Sequence, residues 1–354
     1  MIYGANGYTG RLVAELAVQR GHRPVLAGRD ERKLTPLATQ LGLEHRAFAL
    51  TGSGGVADGL AGVDVVAHCA GPFSATSKPL VDACLATGTH YLDITGEIDV
   101  LEAVLARDGE ARDADIALLP GSGFDVVPTD CLAAMVVERL PGVTALAIAF
   151  RAGGGLSPGT ARTAIEGLGS GGRARLGGRI TSVPSGWRRR TAAFASGPIT
   201  VTSIPWGDVS TAFHSTGVPE VVTFTLLPGG GAAAAMQRLA GPAAKIPGVR
   251  RALGALAGRR VRGPDEERRS RSRSQVWVEA RTDDGRTATG SLTAPNGYAL
   301  TADSVVRVVE RVVAGHVPAG AHTPSHAHGA GFVLELDGVT LHEFDGAPAD
   351  DPHG

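Results

Sequence analysis

The chain has 354 residues, 43% of them hydrophobic, with 34 Lys and Arg against 35 Asp and Glu and a formal net charge of -1. That length suits one large or two ordinary domains, and the near-neutral balance leaves no global field to draw nucleic acid or an acidic membrane. Cys69, Cys84 and Cys131 are odd in number and form no C-x-x-C, which argues against a disulfide framework and a structural zinc site and fits a reducing cytoplasm. The amino terminus lacks a charged region followed by an apolar run, and no apolar stretch approaches the roughly 18 residues of a spanning helix, so a soluble, cytoplasmic protein is expected.

The first element is a short strand running into "GANGYTG", with Gly4, Gly7 and Gly10 at three-residue spacing. A parallel strand buried on both faces normally runs about 5 residues, so Met1 to Tyr3 predict either a clipped strand or a start upstream. "RLVAELAVQRG" follows with helical spacing and a glycine stop at Gly21. "HRPVLAGRD" gives a buried strand and "RKLTPLATQLG" a second helix. "HRAFAL", "VDVVAHCAGPF", "HYLDI" and "DIALLPGSGFDVVPTD" then read as strands, with "LVDACLATG" and "DCLAAMVVERL" as helices. Strands alternating with helices predict a doubly wound parallel α/β sheet over residues 1–140, with its dinucleotide site at the opening loop.

The glycines carry the physical argument. A pyrophosphate at a helix N-terminus needs a tight turn, close backbone approach and close helix packing, and each need is met by a residue without a Cβ. Gly4, Gly7 and Gly10 fill these roles. At the end of the second strand, Arg29 and Lys33 favour NADP(H) by offering charge to a 2′-phosphate, whereas Asp30 would serve NAD(H) instead.

These strings, with "GPDEERRSRSRSQVWVEA", "NGYALTA" and "HTPSHAHGAGFVLELDGVT" behind them, resemble the saccharopine dehydrogenase-like oxidoreductases, in particular the bacterial trans-acting enoyl reductase branch. The resemblance implies a Rossmann domain at the front and a mixed α+β domain behind. It also implies a cofactor loop of Gly4, Ala5, Asn6, Gly7, Tyr8, Thr9 and Gly10, and a second contact at Ala70, Gly71, Pro72 and Phe73. Gly121 and Gly123, in a second glycine turn at the same sheet edge, are the candidate opposite wall. The family includes reductases of carbon–nitrogen and of carbon–carbon double bonds.

The second half reads as an antiparallel sheet with helices over residues 141–300, including a hairpin turning at Asp284-Gly285, and residues 301–354 as a helix and tail packing back on the core. Residues 232–263, apolar and arginine-rich, predict an amphipathic arm that would cover a hydrophobic substrate or meet an acyl carrier, a membrane surface or a second copy in a homodimer. A Tyr-x-x-x-Lys pair is absent, which excludes short-chain dehydrogenase chemistry. No metal site is expected at His322, His326 and His328, where no cysteine or carboxylate partner stands close in sequence. "RRSRSRS" reads as a solvated strand approach rather than a nucleic-acid segment.

Hydride transfer belongs to the nicotinamide, so the protein needs only to orient an acceptor and supply a proton. Tyr91 and Asp125, with Tyr298 from the second half, are the candidate catalytic groups. Asp93, Glu97 and Asp130 are further candidates, and each has a structural alternative as a cap or turn former. The function expected is NADP(H)-dependent reduction of an activated enoyl or enone double bond in a small lipid or polyketide-like substrate. The alternatives are a saccharopine-like imine reductase and a non-catalytic cofactor-binding protein.

Overall fold

A computed structural model describes residues 1–51, 53–155, 157, 159–160, 171–226, 263–342 and 344–345. The chain divides into two compact units, Met1–Val127 with Gly297–His328, and Pro128–Asn296 with Gly329–Gly354. The expected arm at 232–263 lies outside the described residues but for Gly263, as does most of the helix read from "GTARTAIEGL".

The first unit holds β1 (Ile2–Tyr3), α1 (Tyr8–Gln19), β2 (Leu26–Gly28), α2 (Glu31–Leu41), β3 (His45–Ala47), α3 (Ser53–Gly59), β4 (Val65–His68), α4 (Phe73–Thr87), β5 (His90–Asp93), α5 (Ile98–Leu105), α6 (Asp108–Asp113) and β6 (Ala117–Leu119). Its sheet is parallel and seven-stranded in the order β15-β6-β5-β4-β1-β2-β3, where β15 is Gly320–Ala321. The order reverses between β1 and β4, which is where an open α/β sheet presents its ligand crevice. β1 has only two strand residues, yet both pair on each side, Ile2 with Leu26 and Ala67, Tyr3 with Ala27 and His68. The strands read as apolar runs because helices cover them, and Leu26, Val66, Leu92 and Leu118 are fully buried.

The second unit holds α7 (Val127–Glu138, whose first residue closes the first unit), β7 (Val143–Arg151), β8 (Gly172–Leu176), β9 (Arg179–Val183), β10 (Arg189–Phe194), β11 (Gly197–Ser203), α8 (Asp208–Thr216), β12 (Glu220–Thr225), α9 (Glu266–Arg271), β13 (Arg273–Thr282), β14 (Thr287–Pro295) and β16 (Thr340–Leu341). β12 and β7 pair in parallel, and the remaining pairs of this nine-stranded sheet are antiparallel. The expected hairpin is β13–β14, with Gly285 at φ 89° in its turn. "RRSRSRS" spans the end of α9 and the approach to β13.

The chain then returns to the first unit as α10 (Gly297–Val313), followed by α11 (Pro324–His328). Val305, Val306, Val308 and Val312 are buried on α10 and Val313 is exposed. Asp303 joins α10 to α1 by accepting from Arg20, and also holds Arg307 at 2.7 Å. Among the described residues no helix is long and apolar enough to cross a membrane.

Candidate active site

The loop after β1 is shaped by what its glycines lack. Gly4 sits at φ +87°, in the left-handed region, and a Cβ there would lie 2.8 Å from Ala70 Cβ and from Ala70 N. A Cβ at Gly10 would fall 2.3 Å from Gly4 O and 3.0 Å from Ala5 Cα, so the helix can press on its own loop only without a side chain. At Gly7 the added carbon would stand 3.1 Å from Gly4 O. The loop is pinned to β2 by Gly4 N and Ala5 N, both donating to Ala27 O at 2.7 and 3.2 Å. Asn6 reaches toward the end of β2, where a Cβ on Gly28 would lie 3.2 Å from its Oδ1. Tyr8 and Thr9 form the first turn of α1 behind the Gly7 N-cap, with no side-chain cap and no acidic residue in that turn. The helix N-terminus therefore presents backbone amides and the positive end of its dipole.

The N-terminus of α4 is closed instead. Glu97 accepts from Phe73 N through Oε1 at 2.9 Å and from Ser74 N through Oε2 at 2.8 Å. One carboxylate thus occupies the position an anionic ligand would take, and Glu97 is a cap for another helix. The Ala70–Gly71–Pro72 turn ahead of it contains a cis Gly71–Pro72 bond, and Thr76 Oγ1 donates to Ala70 O and Pro72 O at 2.8 and 2.9 Å.

At the end of β2, Arg29 is exposed, and among the described residues its side chain forms no hydrogen bond or ion pair. Asp30 is the N-cap residue of α2 and pairs with Lys33 at 3.7 Å, so the acidic alternative is partly satisfied by its own neighbour.

Tyr91 does not face solvent. It is fully buried, its hydroxyl donating to Asp93 Oδ2 at 2.7 Å and lying 3.0 Å from His68 Nδ1 and 3.2 Å from Ser77 Oγ. Burial lowers His68 to about 3, raises Asp93 to about 6 and drives the Tyr91 hydroxyl well up. His68 is therefore a neutral ring at physiological pH. Sequence reasoning missed it, although a histidine closing an apolar strand, in register with Asp93 on the adjacent strand, was the available signal.

The second glycine turn is built from the first unit's own parts. Gly121 adopts φ +75°, and a Cβ there would lie 2.8 Å from Val126 Cγ2; at Gly123 it would lie 3.0 Å from Thr301 Cγ2. Phe124 N donates to Thr301 Oγ1 at 3.0 Å, and Ser304 Oγ donates to Ser122 O at 2.9 Å. Both glycines are thus used for packing, and Thr301 and Ser304 of α10 are supports that the sequence did not disclose.

Asp125 lies at the end of this turn. It is half-buried, and among the described residues its carboxylate has no hydrogen-bond or ion-pair partner. A Cβ at Gly96 would come within 3.0 Å of Asp125 Cβ and 3.1 Å of its Oδ2, so the carboxylate rests against a residue with no side chain. Burial pushes this carboxyl up to about 7. Such a group can hold a proton at neutral pH and release it.

Tyr298, read from the second half, stands in the first unit, and its ring packs edge-on against Tyr8 at 4.9 Å between centroids. Asp130 belongs to the second unit, buried, accepting from Ser215 Oγ, and has a structural role there. Cys69 is half-buried and pushed up to about 12, which leaves it a thiol. His322 and His326 stand edge-on at 6.3 Å, and among the described residues no three His, Cys, Asp or Glu side chains gather to hold a metal.

Residues 1–119 match the model of the saccharopine dehydrogenase NADP binding domain. This bears out the family resemblance over the front of the chain, and the cofactor expected there, NADP(H), is the one that domain binds. A trans-acting enoyl reductase of Mycobacterium leprae is 33% identical over 138 residues, covering 37% of this chain and 33% of that protein. One from Mycobacterium bovis is 31% identical over 142 residues with the same coverage. The chain thus spans about a third of the length of these curated relatives. Among solved structures, saccharopine dehydrogenase (L-Glu forming) of Saccharomyces cerevisiae aligns with a TM-score of 0.61 at 14% identity, over 97% of this chain and 99% of that one. Homospermidine synthase of Legionella pneumophila, solved in complex with NAD, aligns with a TM-score of 0.62 at 11% identity, over 96% and 90%. The fold is that of saccharopine dehydrogenase.

Proposed function

We propose that the chain is an NADP(H)-dependent oxidoreductase that reduces a carbon–carbon double bond conjugated to a carbonyl, of the enoyl or enone type, in a small, mostly hydrophobic substrate of lipid or polyketide-like character. The observation that carries this reading is Asp125: a half-buried carboxyl with no hydrogen-bond or ion-pair partner among the described residues, resting against Gly96 at the same sheet edge as the glycine loop and pushed up to about 7 by burial.

The residues fit the cofactor. Gly4, Gly7 and Gly10 leave a cradle that a single Cβ would disturb, and the uncapped start of α1 is the anion site beside it. Arg29 and Lys33 would hold a 2′-phosphate, and the Ala70–Phe73 and Gly121–Gly123 turns would flank the nicotinamide. Held there, NADPH would supply the hydride for the carbon β to the carbonyl. Asp125 gives its proton to the α carbon, so the double bond gains one hydride and one proton, and the carboxylate regains its proton from water. Tyr91 and Asp93 are too deeply buried to touch a substrate and act by holding the site. Tyr298, whose ring packs edge-on against Tyr8 in the first turn of α1, is assigned to orient the substrate carbonyl.

The imine reading calls for arginines that converge on an amino dicarboxylate. The sequence offers Arg151, Arg162, Arg173 and Arg175 for this; Arg175 is spent on the backbone, donating to Val209 O at 2.8 Å and Gly178 O at 2.9 Å, and Arg162 lies outside the described residues. An acyl carrier presented to residues 232–263, a homodimer and a cytoplasmic setting complete the proposal. The test is NADPH consumption by the purified chain with 2-enoyl thioesters of increasing chain length, against a 2-oxo acid with a primary amine. Consumption in the enoyl arm is expected; consumption confined to the imine arm overturns the reading.

A further inference from the structure

Asp125 and Gly96 meet from two different loops, one after β6 and one after β5, and neither loop contains a regular element that would fix it. Both are tied to one carboxylate oxygen. Asp93 Oδ1 accepts from Thr95 N, beside Gly96, and from Gly121 N, at the start of the turn that carries Asp125, each at 2.9 Å. The Asp93 carbonyl accepts from Ser122 N at 2.7 Å, which adds a second tie to the same turn. The other carboxylate oxygen, Oδ2, is held by the Tyr91 hydroxyl, itself within reach of His68 Nδ1 on β4 and Ser77 Oγ on α4. A desolvated carboxylate is an expensive way to close a single turn. It is well suited to joining two loops, because one oxygen accepts two amides while the second fixes its orientation.

We propose that Asp93 is the positioning residue of the site, its carboxylate joining the loop after β5 to the turn after β6 and so setting Asp125 against Gly96. Its functional consequence rests on the reading of Asp125 as proton donor; the geometric claim does not. The titratable groups that face Asp93 are Tyr91 on its own strand, Glu97 in the following loop and Cys69 at the end of β4, with His68 behind Tyr91. Glu97 is engaged by the amides of α4.

The test follows Asp125 itself. Carbon-13 NMR of aspartate-labelled protein gives its titration midpoint, assigned by the signal lost in Asp125→Asn. In the unaltered chain the midpoint is expected near 7. Asp93→Asn keeps an oxygen for both amides and an NH2 for Tyr91, and should leave that midpoint in place. Asp93→Ala removes the tie, admits water and should lower the midpoint by about one unit or more toward the ordinary value of about 3.9. If the alanine variant does not fold, Asp93→Ser, whose hydroxyl can accept one amide, takes its place with a smaller drop. A folded alanine or serine variant with Asp125 unmoved overturns the proposal, as does an asparagine variant that falls as far as the alanine one. Absent turnover on every enoyl probe, with these titrations as expected, counts against the donor role and leaves the tie standing.

Discussion

Glu97 and Phe73 lie 24 residues apart, and the carboxylate of the first accepts the first backbone amide of the helix that the second begins. That carboxylate closes the start of α4, whereas the start of α1 has no side-chain cap and leaves its amides open to a phosphate.

Replacing Glu97 with Ala should therefore destabilise the chain by about 0.5–2 kcal/mol, the ordinary cost of a lost helix cap, and loosen the Ala70–Phe73 turn that the cap anchors. Urea unfolding measures the first effect and NADPH titration the second. Unchanged stability would show that water replaces the carboxylate without cost.

Gly10→Ala should abolish NADPH binding, because its Cβ would lie 2.3 Å from Gly4 O and force the loop off β2. Gly7→Val should do the same, since even the first carbon of its side chain would stand 3.1 Å from that carbonyl and the branch would fill the phosphate approach. Circular dichroism establishes folding, and a folded variant of either kind that binds NADPH normally would show the loop misread.

NADPH should bind more tightly than NADH, and Arg29→Ala should narrow the gap by about 10- to 100-fold, the worth of a charge-assisted hydrogen bond of about 1.5–3 kcal/mol. Fluorescence titration of both cofactors decides it. Equal affinities in the unaltered chain would remove the basis for assigning Arg29 to the 2′-phosphate.

The glycine loop was legible because three missing side chains at fixed spacing have one physical use ahead of a helix, and the alternation of strands and helices gave the parallel sheet around it. Partners distant in the chain were not legible. Glu97 reads as a turn former until α4 is placed next to it, and Tyr91 reads as a proton donor until its strand is seen to be covered on both faces. Tyr298 sits among second-half residues in the sequence, and only the return of α10 to the first sheet brings it to Tyr8. Periodicity reports which face of an element is buried; it does not report which polar side chains meet inside.

Asp125 also makes a stability prediction whose sign follows from linkage. Its folded value of about 7 lies above the unfolded value of about 3.9, so the folded chain holds the extra proton between them and loses stability as pH rises through that window. Asp125→Asn carries no such group. The variant's melting temperature should gain on that of the unaltered chain from pH ~4 to pH ~7 and keep a constant lead above it. A lead that does not change with pH would mean that Asp125 titrates normally.

On the proposed function, Asp125 delivers the proton that completes NADPH-dependent reduction of an enoyl carbonyl compound. The most direct measurement is the pH–rate profile for a 2-enoyl thioester that the unaltered chain reduces, run beside Asp125→Asn. The rate should be full on the acid side and fall as pH rises through about 7, as the donor loses its proton. The asparagine variant should be slower by about 10²- to 10⁴-fold, with that limb absent and NADPH binding retained. An Asp125→Asn variant that keeps the rate and the same falling limb would contradict the account.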